Sequence, residues 1–186
     1  MNKLKILKHI EIADNSVFID NTELLTLPET MNFAEFAMSV YKKFEIKYPK
    51  FHKMSNMCKL GFLGAELLLK NTELNNTDKQ DIALVFSCKS SSLHTDTEYQ
   101  NSLKEIPSPA LFVYTLPNIF IGEICIRNRF QGEEMMFVQE IFDKEILFDY
   151  TRMLFNEKKA KFSLTGFVDF DENNNYFASI YLLEKS

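Results

Sequence analysis

Three cysteines and three histidines are the residues of this 186-residue chain best suited to nucleophilic or metal chemistry. Cys88 is the strongest candidate nucleophile. It closes the apolar run "DIALVFSC" and is followed by "KSSS", so Lys89 stands where it could lower the thiol pKa. His94 lies six residues further on and could reach Cys88 if the loop folds back, giving the minimum Cys–His pair for thiol chemistry. The competing reading is a small buried residue at a strand end and a surface histidine. Cys125, between Ile124 and Ile126, and Cys58, on an apolar helix, read as core.

Metal chemistry finds no spacing to support it. No C-x-x-C pair occurs, and His9, His52 and His94 are separated by tens of residues. The segment "DFDENNNYFASI" has acidic spacing like a calcium loop. With Asp169 first, however, Asn174 falls where Gly is needed and Ile180 where the bidentate Glu is needed. A turn is expected there. Neither a G-x-x-x-x-G-K-[ST] loop nor a G-x-G-x-x-G fingerprint is present, so no cofactor is expected. Glu123, Glu133 and Glu134 could supply a general acid, but carboxylate catalysis needs a pair at fixed geometry, and solvated or capping roles are the expectation.

The elements that must position these groups follow from periodicity. "HIEIADNSVFID" alternates around Asp14, Asn15 and Ser16 and predicts two short strands, with "LLTLPET" as a connector. Phe33, Phe36, Ala37, Val40, Tyr41 and Phe44 form one helical face, with Asn32 and Glu35 as a capping box and Pro49 beyond its end. Residues 53–70 read as a helix apolar almost all round, whose Gly61 and Gly64 suit close packing. "DIALVFSC" predicts a strand covered on both faces. "TEYQNSLKEI" reads as a short polar helix or turn, and Pro107 and Pro109 as stops. "FIGEICIRNRF" predicts a helix and "EMMFV" a short strand. Phe142, Ile146, Tyr150, Met153 and Leu154 form a helical stripe, with Asp143 and Glu145 near its positive end. "AKFSLTGFVDF" and "NYFASIYLLE" flank the turn "DENNN". Together these predict one α/β domain over residues 1–186, layered, with a mixed five-stranded sheet and helices on both faces.

Composition limits the function classes. With 46% hydrophobic and 25% charged residues the chain reads as globular. A net charge of −5 without a basic stripe argues against nucleic acid. No window of about 20 apolar residues predicts a membrane span. The N-terminal "MNKLKILKHIEIADNS" is interrupted by Lys5, Lys8 and His9 and lacks the form of a signal peptide. A reduced, cytoplasmic setting is expected from unpaired cysteines.

Residues 108–132, "SPALFVYTLPNIFIGEICIRNRFQG", resemble the N-terminal half of a beta-ketoacyl synthase (3-oxoacyl-ACP synthase) of the thiolase-like superfamily. The matching features are Ser108-Pro109, the aromatic segment Phe112 to Tyr114, the turn Leu116-Pro117-Asn118, Gly122 in the following helix, and Gly132 before the nucleophile strand. Weaker similarity extends over residues 50–170, through "FHKMSNMCKLGFLGAELLL" and "DYTRMLFNEKKAKFSLTGFVDF", with Gly166 and Asp169 in place. The resemblance implies a thiolase-like half domain. It places Ile141 where the family carries its nucleophilic Cys. The family's two catalytic histidines, or His and Asn, belong to a second half that is not expected in a chain ending at Ser186. With Gln139, Glu140 and Ile141 at the helix mouth, and Glu140 and Asp143 opposing a thiolate by like charge, the site reads as dismantled.

The resemblance therefore implies a pseudoenzyme without condensing activity, an accessory or structural subunit in fatty-acid or polyketide-type biosynthesis. Its expected partners are a second copy, a full-length ketosynthase or an acyl carrier protein, contacted through apolar surface that includes Phe112, Phe120 and Phe130. The alternatives are an acyl-chain-binding module with a pocket of Phe and Met, and an enzyme with a site relocated to Cys88 and His94.

Overall fold

The computed structural model describes residues 4–72, 74–104 and 106–186. Residues 1–3 of the N-terminal segment, and Glu73 and Glu105 of the two polar stretches, lie outside the described residues.

The predicted hairpin around Asp14 and Asn15 is β1 (Leu4–Ala13) and β2 (Ser16–Ile19), paired antiparallel with Ala13 opposite Ser16. Asp14 and Asn15 both take positive φ, as a two-residue turn between twisted strands requires. β3 (Thr22–Thr26) then pairs with β2. It runs into the stretch read as a connector. Only Leu25 of its five residues is buried, so no alternation advertised it.

Helix α1 (Phe33–Lys43) carries the predicted capping box. Glu35 N donates to Asn32 Oδ1 at 3.0 Å, and Asn32 N donates to Glu35 Oε2 at 3.3 Å. A short 3-10 turn, Pro49–Lys53, leads to α2 (Asn56–Leu69). Its two glycines serve two close approaches. A Cβ on Gly61 would lie 2.6 Å from the Phe120 ring, and one on Gly64 2.7 Å from Ile180 Cδ1. The helix thus packs against another helix and the sheet at once.

β4 (Ile82–Cys88) is buried along its whole length, as its unbroken apolar run predicted. From it the chain makes an excursion through α3 (Leu93–Ser102) and α4 (Pro109–Val113). Pro109 does not stop structure here: it opens α4 in the first turn, where its missing N–H costs nothing. α3 also begins earlier than the polar segment suggested. α5 (Ile119–Asn128), β5 (Glu134–Val138), α6 (Lys144–Asn156), β6 (Phe162–Phe170) and β7 (Tyr176–Lys185) complete the fold.

The strands form one sheet in the order β3-β2-β1-β7-β6-β4-β5. Among the described residues it has seven strands rather than five; β3, in the stretch read as a connector, is the strand no sequence signal announced. The mixed character stands: β5 and β6 run parallel to β4, whereas β7 opposes both β6 and β1. Helices cover both faces. Phe36, Leu60, Leu63 and Ile124 belong to the larger core with Leu84 and Phe86 of β4. Leu147, Phe148, Leu154 and Phe155 of α6 meet Ala83 and Val85 on the other face.

The helical stripe of α6 is rotated from the predicted one. Ile146 and Met153 are exposed, and the buried face is Leu147, Phe148, Thr151, Leu154 and Phe155. Thr151 accounts for the shift. Its hydroxyl bonds Leu147 O at 2.9 Å and lies 3.0 Å from Thr165 Oγ1, so a polar residue occupies a core position with its hydrogen bonds satisfied.

Candidate functional site

The C-terminal ends of parallel β4, β5 and β6 come together at one rim of the sheet, where open α/β sheets commonly place their ligands. Cys88 ends β4, residues 139–143 join β5 to α6, and Asp169 stands near the end of β6. Gln139 N donates to Cys88 O at 2.8 Å, so the β5–α6 loop is bound to the end of β4.

Ile141 lies in that loop and is 78% exposed. It offers no nucleophile, acid or base at the mouth of α6. Asp143 caps the helix itself, accepting from Glu145 N at 2.9 Å. Glu140, Asp143 and Glu145 leave the helix mouth acidic, which complements the helix dipole and opposes any anionic intermediate. Ser87 Oγ and Gln139 Oε1 are buried near this rim without a hydrogen-bond partner among the described residues.

Cys88 is fully buried. Burial pushes its thiol up to about 11; a backbone bond from Ser91 pulls it partly back, and the Asp169 carboxylate raises it further. Its Sγ lies 3.9 Å from Phe137 O. No hydrogen bond joins it to His94 among the described residues. His94 packs its ring edge against Phe170, with centroids 4.9 Å apart, and its Nδ1 lies 3.6 Å from Glu98 Oε2. The other two thiols are no readier. Burial raises Cys58, next to the Glu123 carboxylate, and Cys125, next to Glu134. All three cysteines are free.

His9 sits on β1, stacked on Tyr181 at 4.1 Å and bonded through Nε2 to Ser179 Oγ at 2.8 Å. His52 is exposed beside Tyr41. Among the described residues no group of three His, Cys, Asp or Glu is placed to hold a metal ion.

The residues of the family-like segment take structural posts. Ser108 Oγ caps α4 through Leu111 N at 3.3 Å, with Pro109 behind it. Pro117 and Asn118 precede α5, with Asn118 at its N-cap without a side-chain bond. Gly122 faces open space, with nothing within 4 Å of a Cβ built on it. Gly132 is required by sterics, since a Cβ there would fall 2.3 Å from Ile82 O. A Cβ on Gly166 would collide in the same way with Ser179 O.

Two expectations are corrected here. Phe120 and Phe130 are buried in the chain's own core and unavailable to a partner; only Phe112 of the three is exposed, at 60%. Glu123 is not solvated. It is buried, accepts from the Tyr48 hydroxyl at 2.7 Å and lies 3.7 Å from Lys50 Nζ. Helical spacing from Phe120 and Ile124 was the available signal that Glu123 shares their buried side.

Sequence reasoning also passed over a basic strip. Lys42, Lys43, Lys47, Lys50 and Lys53 are all exposed along the end of α1 and the 3-10 turn, interrupted by one acid, Glu45.

Concavities are modest. One, of about 750 Å³, has a mixed lining of Asp14, Asn15, Glu29 and Asn32 with Met31, Phe33 and Tyr176. The Phe and Met expected of an acyl pocket are represented in it by Phe33 and Met31, among carboxylates and amides. No helix among the described residues is long and apolar enough to cross a membrane.

No protein-family model and no curated protein matches the sequence. Solved structures do match. The ishigamide ketosynthase/chain length factor superposes with a TM-score of 0.73 at 13% identity, over 99% of this chain and 62% of that one. The structure of a ketosynthase in complex with its chain length factor from Xenorhabdus doucetiae gives 0.64 at 17% identity, over 100% of this chain and 80% of that one. A type II PKS acyl-carrier protein in complex with its ketosynthase, bound to the hexaketide, gives 0.71 at 11% identity, over 100% of this chain and 63% of that one. The chain thus spans less than two thirds of the first of these. What this similarity shows is architecture: the chain has the ketosynthase-like, thiolase-like fold shared by ketosynthases and chain length factors.

Proposed function

We propose that this chain is a catalytically inactive ketosynthase-like subunit that pairs with a ketosynthase in fatty-acid or polyketide-type biosynthesis. The observation that carries the reading is an exposed apolar row on the α3–α4 excursion: Leu93, Leu103, Ile106, Phe112, Val113 and Leu116. Phe112 is 60% and Ile106 84% exposed, and α4 has no buried residue of its own. Clustered apolar exposure of this kind marks an interaction surface.

β5 supports the same reading. It is the last strand of the sheet, hydrogen-bonded to β4 alone among the described residues, with Val138 62% exposed. Its outer edge is free to accept a strand from a second chain. Two of the similar structures contain a chain length factor beside its ketosynthase, a pairing with the same logic. An isoleucine at position 141 beside an acidic helix mouth, and three thiols raised by burial, would fit a subunit that contributes shape rather than chemistry. The strip from Lys42 to Lys53 would suit an acidic carrier protein, and a carrier protein is bound in another of the similar structures. Three free thiols suit a reducing, cytoplasmic setting.

The test is co-expression with ketosynthases encoded in the same genome, comparing wild type with Phe112→Asp/Leu116→Asp. Both side chains are exposed, so the variant should fold. The reading predicts co-purification of a ketosynthase with wild type and loss of it with the variant. Equal capture by both would remove the α3–α4 surface from the account.

A further inference from the structure

The α3–α4 excursion is tied to the sheet at its base, and the tie is made by few groups. On leaving β4, two consecutive backbone amides, Lys89 N and Ser90 N, donate to the same oxygen, Asp169 Oδ1, at 2.9 and 2.7 Å. Ser90 Oγ donates to Asp169 Oδ2 at 2.9 Å. Asp169 is held in turn by the β6–β7 ladder, opposite Phe177. These are hydrogen bonds to a carboxylate and among the stronger kind. The next residue, Ser91, takes a positive φ of 53°, an unfavourable state for a residue with a side chain that persists only where its surroundings impose it.

The second tie closes the excursion on itself. The buried Ser92 Oγ lies 2.9 Å from Thr115 O and 2.9 Å from Asp96 Oδ2. A hydroxyl has one proton, so it donates to one of these at a time. When it donates to Thr115 O it joins the entry of the excursion to its exit. Between the two ends, His94 packs its ring edge on Phe170 of β6, and further contacts lie within the excursion. Tyr99 and Phe112 pack at 5.4 Å, and Ser108 N donates to Ser102 Oγ at 3.3 Å. Tyr114, buried at the exit, adds an apolar anchor.

On the reading that this excursion docks a partner, we propose that Asp169 and Ser92 are positioning residues: they staple its base so that the apolar row is presented preformed rather than ordered during binding. A surface fixed beforehand does not lose conformational entropy when the partner arrives. Neither residue need touch the partner. Asp169→Asn keeps Oδ1 as an acceptor for both amides and gives up only the bond from Ser90 Oγ, whereas Asp169→Ala removes all three bonds.

The experiment is hydrogen exchange on the full isolated chain, as wild type, Asp169→Ala, Asp169→Asn and Ser92→Ala, followed by capture of the co-expressed ketosynthase by each. The proposal expects amides of α3 and α4 to exchange at least tenfold faster in Asp169→Ala and Ser92→Ala, with β6 and β7 unchanged. Asp169→Asn should lie close to wild type, and capture should fall at least tenfold in step with the faster exchange. Unchanged exchange in α3 and α4 would overturn the staple, and so would acceleration spread evenly over the sheet. Faster exchange with undiminished capture would overturn the positioning role. If wild type captures no ketosynthase, the accessory-subunit reading fails, and the exchange result alone then decides whether the staple exists.

Discussion

Gly166 of β6 passes so close to Ser179 of β7 that a Cβ on the glycine would fall 2.2 Å from the serine carbonyl oxygen. The obstacle is backbone in the middle of a sheet and cannot swing away. Gly166→Ala should therefore destabilise the fold by about 3 kcal/mol or more, as severe overpacking does. Gly122→Ala is the matched control, because its Cβ meets open space on a helix. It should stabilise by about 0.5–1 kcal/mol. Urea denaturation of the two variants would show opposite signs.

The thiols should be silent in the native protein. With Cys88 pushed up to about 11 by burial, less than about one part in a thousand is thiolate at pH 7.5. Cys58 and Cys125 are raised by burial as well. Iodoacetamide at that pH should label none of the three appreciably until denaturant is added, when all three should react. Rapid selective labelling of native Cys88 would restore it as a nucleophile.

Stability should fall on mild acidification through His9. Burial holds this histidine below its ordinary value; Glu11 and Asp20 pull it partly back up, and Lys144 pushes it down. The unfolded chain then binds the proton more readily than the folded one. The contribution is complete above about pH 6.5 and is lost as pH falls below that toward the folded value. Denaturation midpoints at pH 7.5 and pH 5.5 should show the loss, and His9→Gln should reduce it.

The pair of half-buried Tyr48 and buried Glu123 should be structural. Glu123→Ala orphans the Tyr48 hydroxyl and leaves a void, at a cost of about 2–3 kcal/mol. Glu123→Gln keeps an acceptor and should cost about half as much. A loss of stability from Glu123→Ala without any effect on ketosynthase capture would confirm that it serves the fold.

Much of this fold was legible because its signals are local. The Asn32–Glu35 box, the unbroken apolar run of β4 and the Asp14–Asn15 turn each declare themselves within a few residues. β3 did not, because an edge strand with one buried residue has no alternation to read. The α6 face was misplaced because Thr151 takes a core position that hydropathy assigns to Ile146 or Met153; its hydroxyl bonds Leu147 O within the helix and also meets Thr165, fourteen residues away. At the rim, the lack of a nucleophile at Ile141 was visible from residue type. The clamp between Asp169 and Lys89–Ser90 was not, since it spans eighty residues and exists only once β4 and β6 are neighbours. Which phenylalanines face outward was likewise a tertiary matter: Phe112 does, whereas Phe120 fills the space above Gly61.

The most direct test of the central claim is the native mass of the tagged protein captured gently from its own host. The account predicts a stoichiometric complex of this 21.8 kDa chain with a ketosynthase. A chain that emerges alone, or that by itself condenses an acyl thioester with a malonyl thioester, would contradict it.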